Sequence, residues 1–214
     1  MRSVGGPDVD ADAAAPASAP RPPGEADDAA LVAALRRRDP RAFDEVYARY
    51  HARLWSFLVR LAGRRDIAED LFQDTWMQVA RHAERLEEGT DLRAWLFTVA
   101  RNRYRSHRRW SVLDLSRVSL FASEPEGEFP GPEGAAAARA EVAAVEEALS
   151  GIAPAHREVL LLSAVEGLDS AQVAAVLGIR EDAARKRLSR ARAELAGWLE
   201  KRDATERKEA PRGS

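Results

Sequence analysis

The sequence predicts an all-α protein made of two small helical domains joined by a flexible linker. Ala, Leu, Arg and Glu dominate, while β-branched and aromatic residues are modest in number. Apolar residues recur at helical spacing from Asp27 to Trp110 and again from Ala135 to Arg202. Between these stretches lies SEPEGEFPGPEG, whose Ser, Glu, Gly and Pro oppose regular structure. With 214 residues the chain can bury two helical cores of ordinary size.

Residues 1–26 are rich in Ala, Pro, Gly and Asp without periodicity and read as a disordered tail, because they cannot bury enough apolar surface to offset ordering entropy. The first domain, 27–110, shows helix breaks near Asp39-Pro40, Gly63-Arg64 and Glu88-Gly89-Thr90. One of its helices, from about Asp66 to Ala80, turns Ile67, Ala68, Leu71, Phe72, Thr75, Trp76 and Val79 to one half of the wheel. Asp66, Glu69, Asp70, Gln73 and Asp74 gather on the other half, a surface suited to a basic protein partner and unsuited to DNA. The helix from about Arg93 to Trp110 contains no acid. Leu96, Phe97, Ala100 and Tyr104 form its core face, with Thr98, Arg101, Asn102, Arg105 and Arg109 expected on an exposed one. Such a guanidinium stripe fits a nucleic-acid backbone, and the flanking Trp95 and Trp110 are candidates for stacking on unpaired bases or for core positions.

Residues 111–134 form the linker, and its Leu113, Leu115, Leu120 and Phe121 suggest that part of it docks. The second domain, 135–202, breaks at Gly151-Pro154 and at Gly167, and 203–214 reads as a second disordered tail. GLDSAQVAAVLGIREDAARKRLSRARAEL, beginning at Gly167, is a helix-turn-helix signature. Ser170 is expected to cap a short helix with Val173, Ala174 and Leu177 inward, Gly178 to supply the turn, and Asp182 to cap a second helix. Along that helix Ala184, Leu188, Ala191, Leu195 and Leu199 form the buried stripe, and Lys186, Arg187 and Arg190 lie outside, the shape of a major-groove reader.

A net charge of -2 conceals this segregation of acidic and basic faces. The absence of cysteine excludes disulfides, thiolate zinc sites and thiol redox sensing. His51, His82, His107 and His156 show no ligand spacing, so no metal and no cofactor are expected. No nucleophile, base and orienting group assemble by spacing, which argues against an enzyme and a small-molecule substrate. No apolar stretch resembles a signal-peptide core or approaches the ~20 residues that span a bilayer, so a cytoplasmic protein without membrane insertion is expected. On these residues alone, a repressor or activator and a helical protein adaptor remain open beside a transcription initiation factor.

Acidic helix, arginine-striped helix, linker and C-terminal helix-turn-helix, in this order, resemble bacterial RNA polymerase sigma factors of the extracytoplasmic-function group. DPRAFDEVYARYHARLWSFLVRLAG, RRDIAEDLFQDTWMQVARHAERL and LRAWLFTVARNRYRSHRR are similar to successive parts of that family's domain two. ALSGIAPAHREVLLLSAVEGLDSAQVAAVLGI and KRLSRARAEL are similar to its domain four. The resemblance implies binding of core RNA polymerase, promoter DNA and an anti-sigma factor. It implies polymerase docking by Glu69, Asp70, Gln73 and Asp74. The minus-ten set it implies is the base-capturing loop Leu86, Glu87, Glu88, Gly89, Thr90 and Asp91 with Trp95, Thr98, Arg101, Asn102, Arg105 and Arg109. Arg180, Arg185, Lys186, Arg187 and Arg190 are implied at the minus-thirty-five element. The loop departs from the family's usual aromatic-Arg-Gly-acid pattern, and its extra carboxylates imply a different base preference.

Overall fold

The computed structural model describes residues 25–114 and 145–209, and all regular structure among them is helical. α1 (Glu25–Arg36) is followed by α2 (Pro40–Ala62), α3 (Arg65–His82), a 3-10 turn (Ala83–Arg85) and α4 (Leu92–Asp114). After α5 (145–151) come α6 (Pro154–Leu160), a π-turn (Leu161–Val165), α7 (Ser170–Leu177) and α8 (Glu181–Glu209). The breaks fall where the sequence puts them. Asp39 caps α2 by accepting from the Arg41 amide at 3.0 Å, with Pro40 at the first helical position, where its missing N–H costs nothing. Gly63 ends α2 in the left-handed conformation at φ 69°, which glycine adopts without a Cβ penalty.

α2 is the axis of the first group. Its Val46, Tyr50, Leu54, Phe57, Leu58 and Leu61 are buried beneath α1, α3 and α4, and Phe57 meets Phe97 of α4 edge to face at 5.2 Å between centroids. Each such apolar side chain contributes about 1.5–3 kcal/mol on burial. In the second group Val159, Leu161, Leu162, Val173, Val176, Leu177, Ala184 and Ala191 close the space between α6, α7 and α8. The groups also pack on one another, α4 against α7 and α2 against α6, so their buried residues form a continuous cluster.

Two expected boundaries move. α4 runs on to Asp114, into the predicted linker, and α8 runs on to Glu209, well past Arg202. Both extensions carry good helix formers and no proline, so a helix already anchored by packing propagates through them. The remainder of the predicted tails and linker lies outside the described residues.

Candidate nucleic-acid and polymerase interfaces

α3 presents the predicted acidic face. Ala68, Leu71, Thr75, Trp76 and Val79 are buried, whereas Asp66, Glu69, Asp70, Gln73 and Asp74 are exposed. Local partners take up two of the acids: Arg64 holds the Asp66 carboxyl below its ordinary range, and Arg65 Nε lies 3.2 Å from Glu69 Oε1. Asp70, Gln73 and Asp74 then share one face with Met77, which is 43 % exposed. Sequence reasoning passed over Met77, although its spacing of four from Gln73 was the available signal. Trp76 is held beneath by Phe43, Tyr47 and Phe72, at centroid distances of 5.8, 4.7 and 6.2 Å.

α4 begins at a cap made by Asp91, whose Oδ1 accepts from the Ala94 amide at 2.9 Å. Leu96, Phe97, Ala100 and Tyr104 face the core as expected, and Asn102, Arg105 and Arg109 are exposed. Thr98 is half-buried and donates its hydroxyl to Ala94 O at 2.8 Å. Trp95 packs partly against the core, while Trp110 is 72 % exposed and is the tryptophan on this helix open to stacking.

Arg101 departs from the expected stripe. It is 6 % exposed, roofed by the second helical group, and its Nη1 donates to Val176 O at 3.1 Å. Its charge is met by Glu158 of α6, itself 7 % exposed: Nε stands 3.1 Å from Oε1 without an aligned hydrogen bond, and Nη2 donates to Oε2 at 3.4 Å. Burial is the main cause pulling the Arg101 pKa down, and Glu158 opposes it. Wheel geometry had put Arg101 on the solvent side. It lies at the boundary of the apolar face, one turn from Phe97, and a neighbouring domain claims that boundary.

The loop from Leu86 to Asp91 divides by burial. Leu86 is buried, which corrects its expected place in a base-holding surface: it anchors the loop to the core. Glu87, Glu88 and Gly89 are exposed, Gly89 at φ 84°, and Thr90 donates its hydroxyl to Glu87 O at 2.8 Å, closing a tight turn.

The helix-turn-helix forms with a different cap from the one expected. Asp169, not Ser170, caps α7: its Oδ1 accepts from the Gln172 amide at 2.8 Å, and Gln172 Oε1 accepts from the Asp169 amide at 3.0 Å. Ser170 instead donates to Glu181 at 2.6 Å across the turn. Gly178 turns the chain at φ 62°. Asp182 sits inside the first turn of α8, where it accepts from Arg180 Nε at 3.0 Å and Nη2 at 2.7 Å instead of capping. Arg185 is likewise paired with Glu181. Ala184 and Ala191 are buried, and Leu188 and Leu195 pack against the core. Lys186, Arg187 and Arg190, with His156 and Ala183, line a shallow cationic cleft between α8 and α6. His156 pairs with Glu194 at its rim, holding that carboxyl below its usual value. Among the described residues no group of His, Cys, Asp and Glu could hold a metal, and no helix is long and apolar enough to cross a membrane.

An acidic face on one helix, a cationic face on another and a cationic helix-turn-helix define a two-domain DNA-binding protein that also docks on protein. Residues 46–110 match the family described as Sigma-70 region 2, and residues 143–195 match Sigma-70, region 4. The chain belongs to the extracytoplasmic-function group of RNA polymerase sigma factors, which direct polymerase to promoters at transcription initiation. It is 31% identical over 183 residues to the RNA polymerase sigma factor CnrH of Cupriavidus metallidurans, covering 81% of this chain and 94% of that protein. It is 34% identical over 162 residues to the ECF RNA polymerase sigma factor SigL of Mycobacterium tuberculosis, covering 75% and 86%. Among solved structures it is similar to CnrH in complex with the cytosolic domain of CnrY, with a TM-score of 0.61, 28% identity, and coverage of 81% and 97%. It is also similar to the sigma factor RpoE in complex with the anti-sigma factor NepR from Bartonella quintana, with a TM-score of 0.62, 28% identity, and coverage of 74% and 96%.

Proposed function

We propose that Glu69, Asp70, Gln73 and Asp74 of α3 form the contact with core polymerase, that α4 and the loop before it take the minus-ten element, and that α8 reads the minus-thirty-five element. The observation that carries this division is the sorting of exposed charge by helix. Asp70 and Asp74 lie open on α3, Asn102, Arg105 and Arg109 lie open on α4, and Lys186 and Arg190 lie open on α8. A polyanion is repelled by the first surface and attracted by the other two. Asp70 and Asp74 suit a basic protein surface, with Met77 as an apolar anchor beside them.

On α4 the exposed set is Asn102, Arg105 and Arg109. Thr98 stands at its edge, and Trp95 supports the helix from the core side. Glu87, Glu88, Gly89 and Thr90 form the solvent edge of the loop, with Asp91 fixing the start of the helix. Carboxylates there disfavour a phosphate and favour amino-bearing base edges, which donate to them. On α8, Lys186, Arg187 and Arg190 face the groove. Arg180 and Arg185, tied to neighbouring acids, contact phosphate after exchanging partners. The chain performs no covalent chemistry of its own and works where polymerase and chromosome meet, in the cytoplasm. CnrH and RpoE are solved with protein inhibitors. By extension an anti-sigma factor covers these faces when the protein is silent.

The test is charge reversal on α3. Asp70→Arg with Asp74→Arg should weaken capture of core polymerase by about tenfold or more, ~1.4 kcal/mol per decade, with helix content unchanged by circular dichroism. Undiminished capture by the double reversal rejects α3 as the docking face.

A further inference from the structure

The packing of the two helical groups is at odds with simultaneous use of both DNA-reading helices. α4 and α7 are in direct contact, and Arg187 of α8 is close enough to Arg101 of α4 to repel its charge. Minus-ten and minus-thirty-five elements are separated by about 25 base pairs, roughly 85 Å at ~3.4 Å per pair. α4, with 23 residues, is about 35 Å long and does not bridge that gap.

From this juxtaposition we infer that the packed arrangement is a resting form, in which Glu158 takes the place of a promoter phosphate on Arg101, and that the two groups separate before both promoter elements are bound. The inference rests on the assignment of α4 and α8 to DNA given above.

The contacts across the junction are those of a releasable clasp. Arg53 of α2 donates through Nε to Glu166 Oε2 at 3.0 Å and through Nη2 to Glu166 O at 2.8 Å. Arg93 of α4 donates through Nη2 to Gln172 Oε1 at 3.0 Å, and Gln172 Nε2 donates to Asp91 Oδ2 at 2.6 Å. Arg60 of α2 lies 3.6 Å from Glu146 of α5. A buried ion pair of indifferent geometry, such as Arg101 with Glu158, stabilises little over the separated state, because desolvation offsets most of the attraction. Promoter phosphate offers Arg101 a bidentate partner without that loss. Arg105 and Arg187 both repel Arg101 across the junction, so the same three cations that oppose closure favour a polyanion once the junction opens.

The chain contains no cysteine, so an introduced pair of thiols is unique. Arg53→Cys with Glu166→Cys in the full chain, bridged by a short bis-maleimide carrying a cleavable disulfide, holds the junction shut without touching the proposed polymerase or DNA contacts. The bridged protein should still capture core polymerase, should lose promoter opening by about tenfold or more, and should regain it on reduction. Promoter opening equal before and after reduction overturns the inference and leaves the assignment of α4 and α8 standing. Failure of the reduced protein, with core polymerase, to open a promoter sinks that assignment and the inference with it. A second pair leaves the junction native: spin labels at Arg81→Cys and Arg192→Cys, both exposed. A short, narrow distance distribution should lengthen when the labelled protein joins core polymerase and promoter DNA. A promoter complex formed at the original distance overturns the inference.

Discussion

Arg101 on α4 and Arg190 on α8 both stand on cationic helices and were both read as DNA contacts, yet the fold treats them oppositely. Arg190 is exposed along a cationic cleft, whereas Arg101 lies inside a junction with a carboxylate and a main-chain carbonyl as partners. The periodicity of one helix says which of its faces is apolar. It is silent on which polar edge another domain will cover, because that depends on where the second domain comes to rest.

Truncating each arginine separates the two cases. Arg101→Ala leaves Glu158 buried without its cation, a defect of about 3–5 kcal/mol for any state that keeps the junction closed. Calorimetry should then resolve two independent transitions where the parent melts with its groups coupled, and a single unaltered transition would mean that the pair does not hold the groups together. Arg190→Ala should leave the melt within about 0.5 kcal/mol of the parent and weaken protection of the upstream promoter element by about 1–3 kcal/mol. An unchanged upstream footprint removes Arg190 from the reading surface.

The smallest effect sharpens the comparison from the junction's other acid. Glu166 is 3 % exposed, and burial raises its pKa above the ordinary 4.5, with Arg53 partly offsetting the rise. The packed state therefore binds this proton more tightly than the unfolded chain does. Its contribution is fully present below the ordinary value and is lost as pH rises through the raised one. The melting temperature of the parent relative to Glu166→Gln should climb by a few degrees at most as pH falls from neutrality toward 4.5. A difference independent of pH would mean that Glu166 does not titrate in this window.

Much was legible because it is local. The acidic half of α3 and the core face of α4 follow from spacing alone, and the breaks at Asp39-Pro40, Gly63 and Gly178 follow from what those residues permit in the backbone. What escaped depends on contacts distant in sequence. Leu86 turned inward because the helical core needed it, although the loop around it is polar. Asp169 displaced Ser170 as a cap because Gln172, three residues on, completes a reciprocal pair that Ser170 has no partner for. Glu158 and Glu166 carried no mark as interior acids, since their burial comes from α4 and α2.

Gln172 illustrates how one side chain can answer to two addresses. At the start of α7 either glutamine or glutamate would serve, since that role needs an acceptor facing the Asp169 amide. The other end of the same side chain meets the carboxylate of Asp91, and there only a hydrogen donor is tolerated. Requirements local to a helix and requirements set by a neighbouring domain thus intersect on a single amide. The residue choice at position 172 is dictated jointly by two parts of the chain, and glutamate, interchangeable with it at such a cap elsewhere, would here set two negative charges against each other.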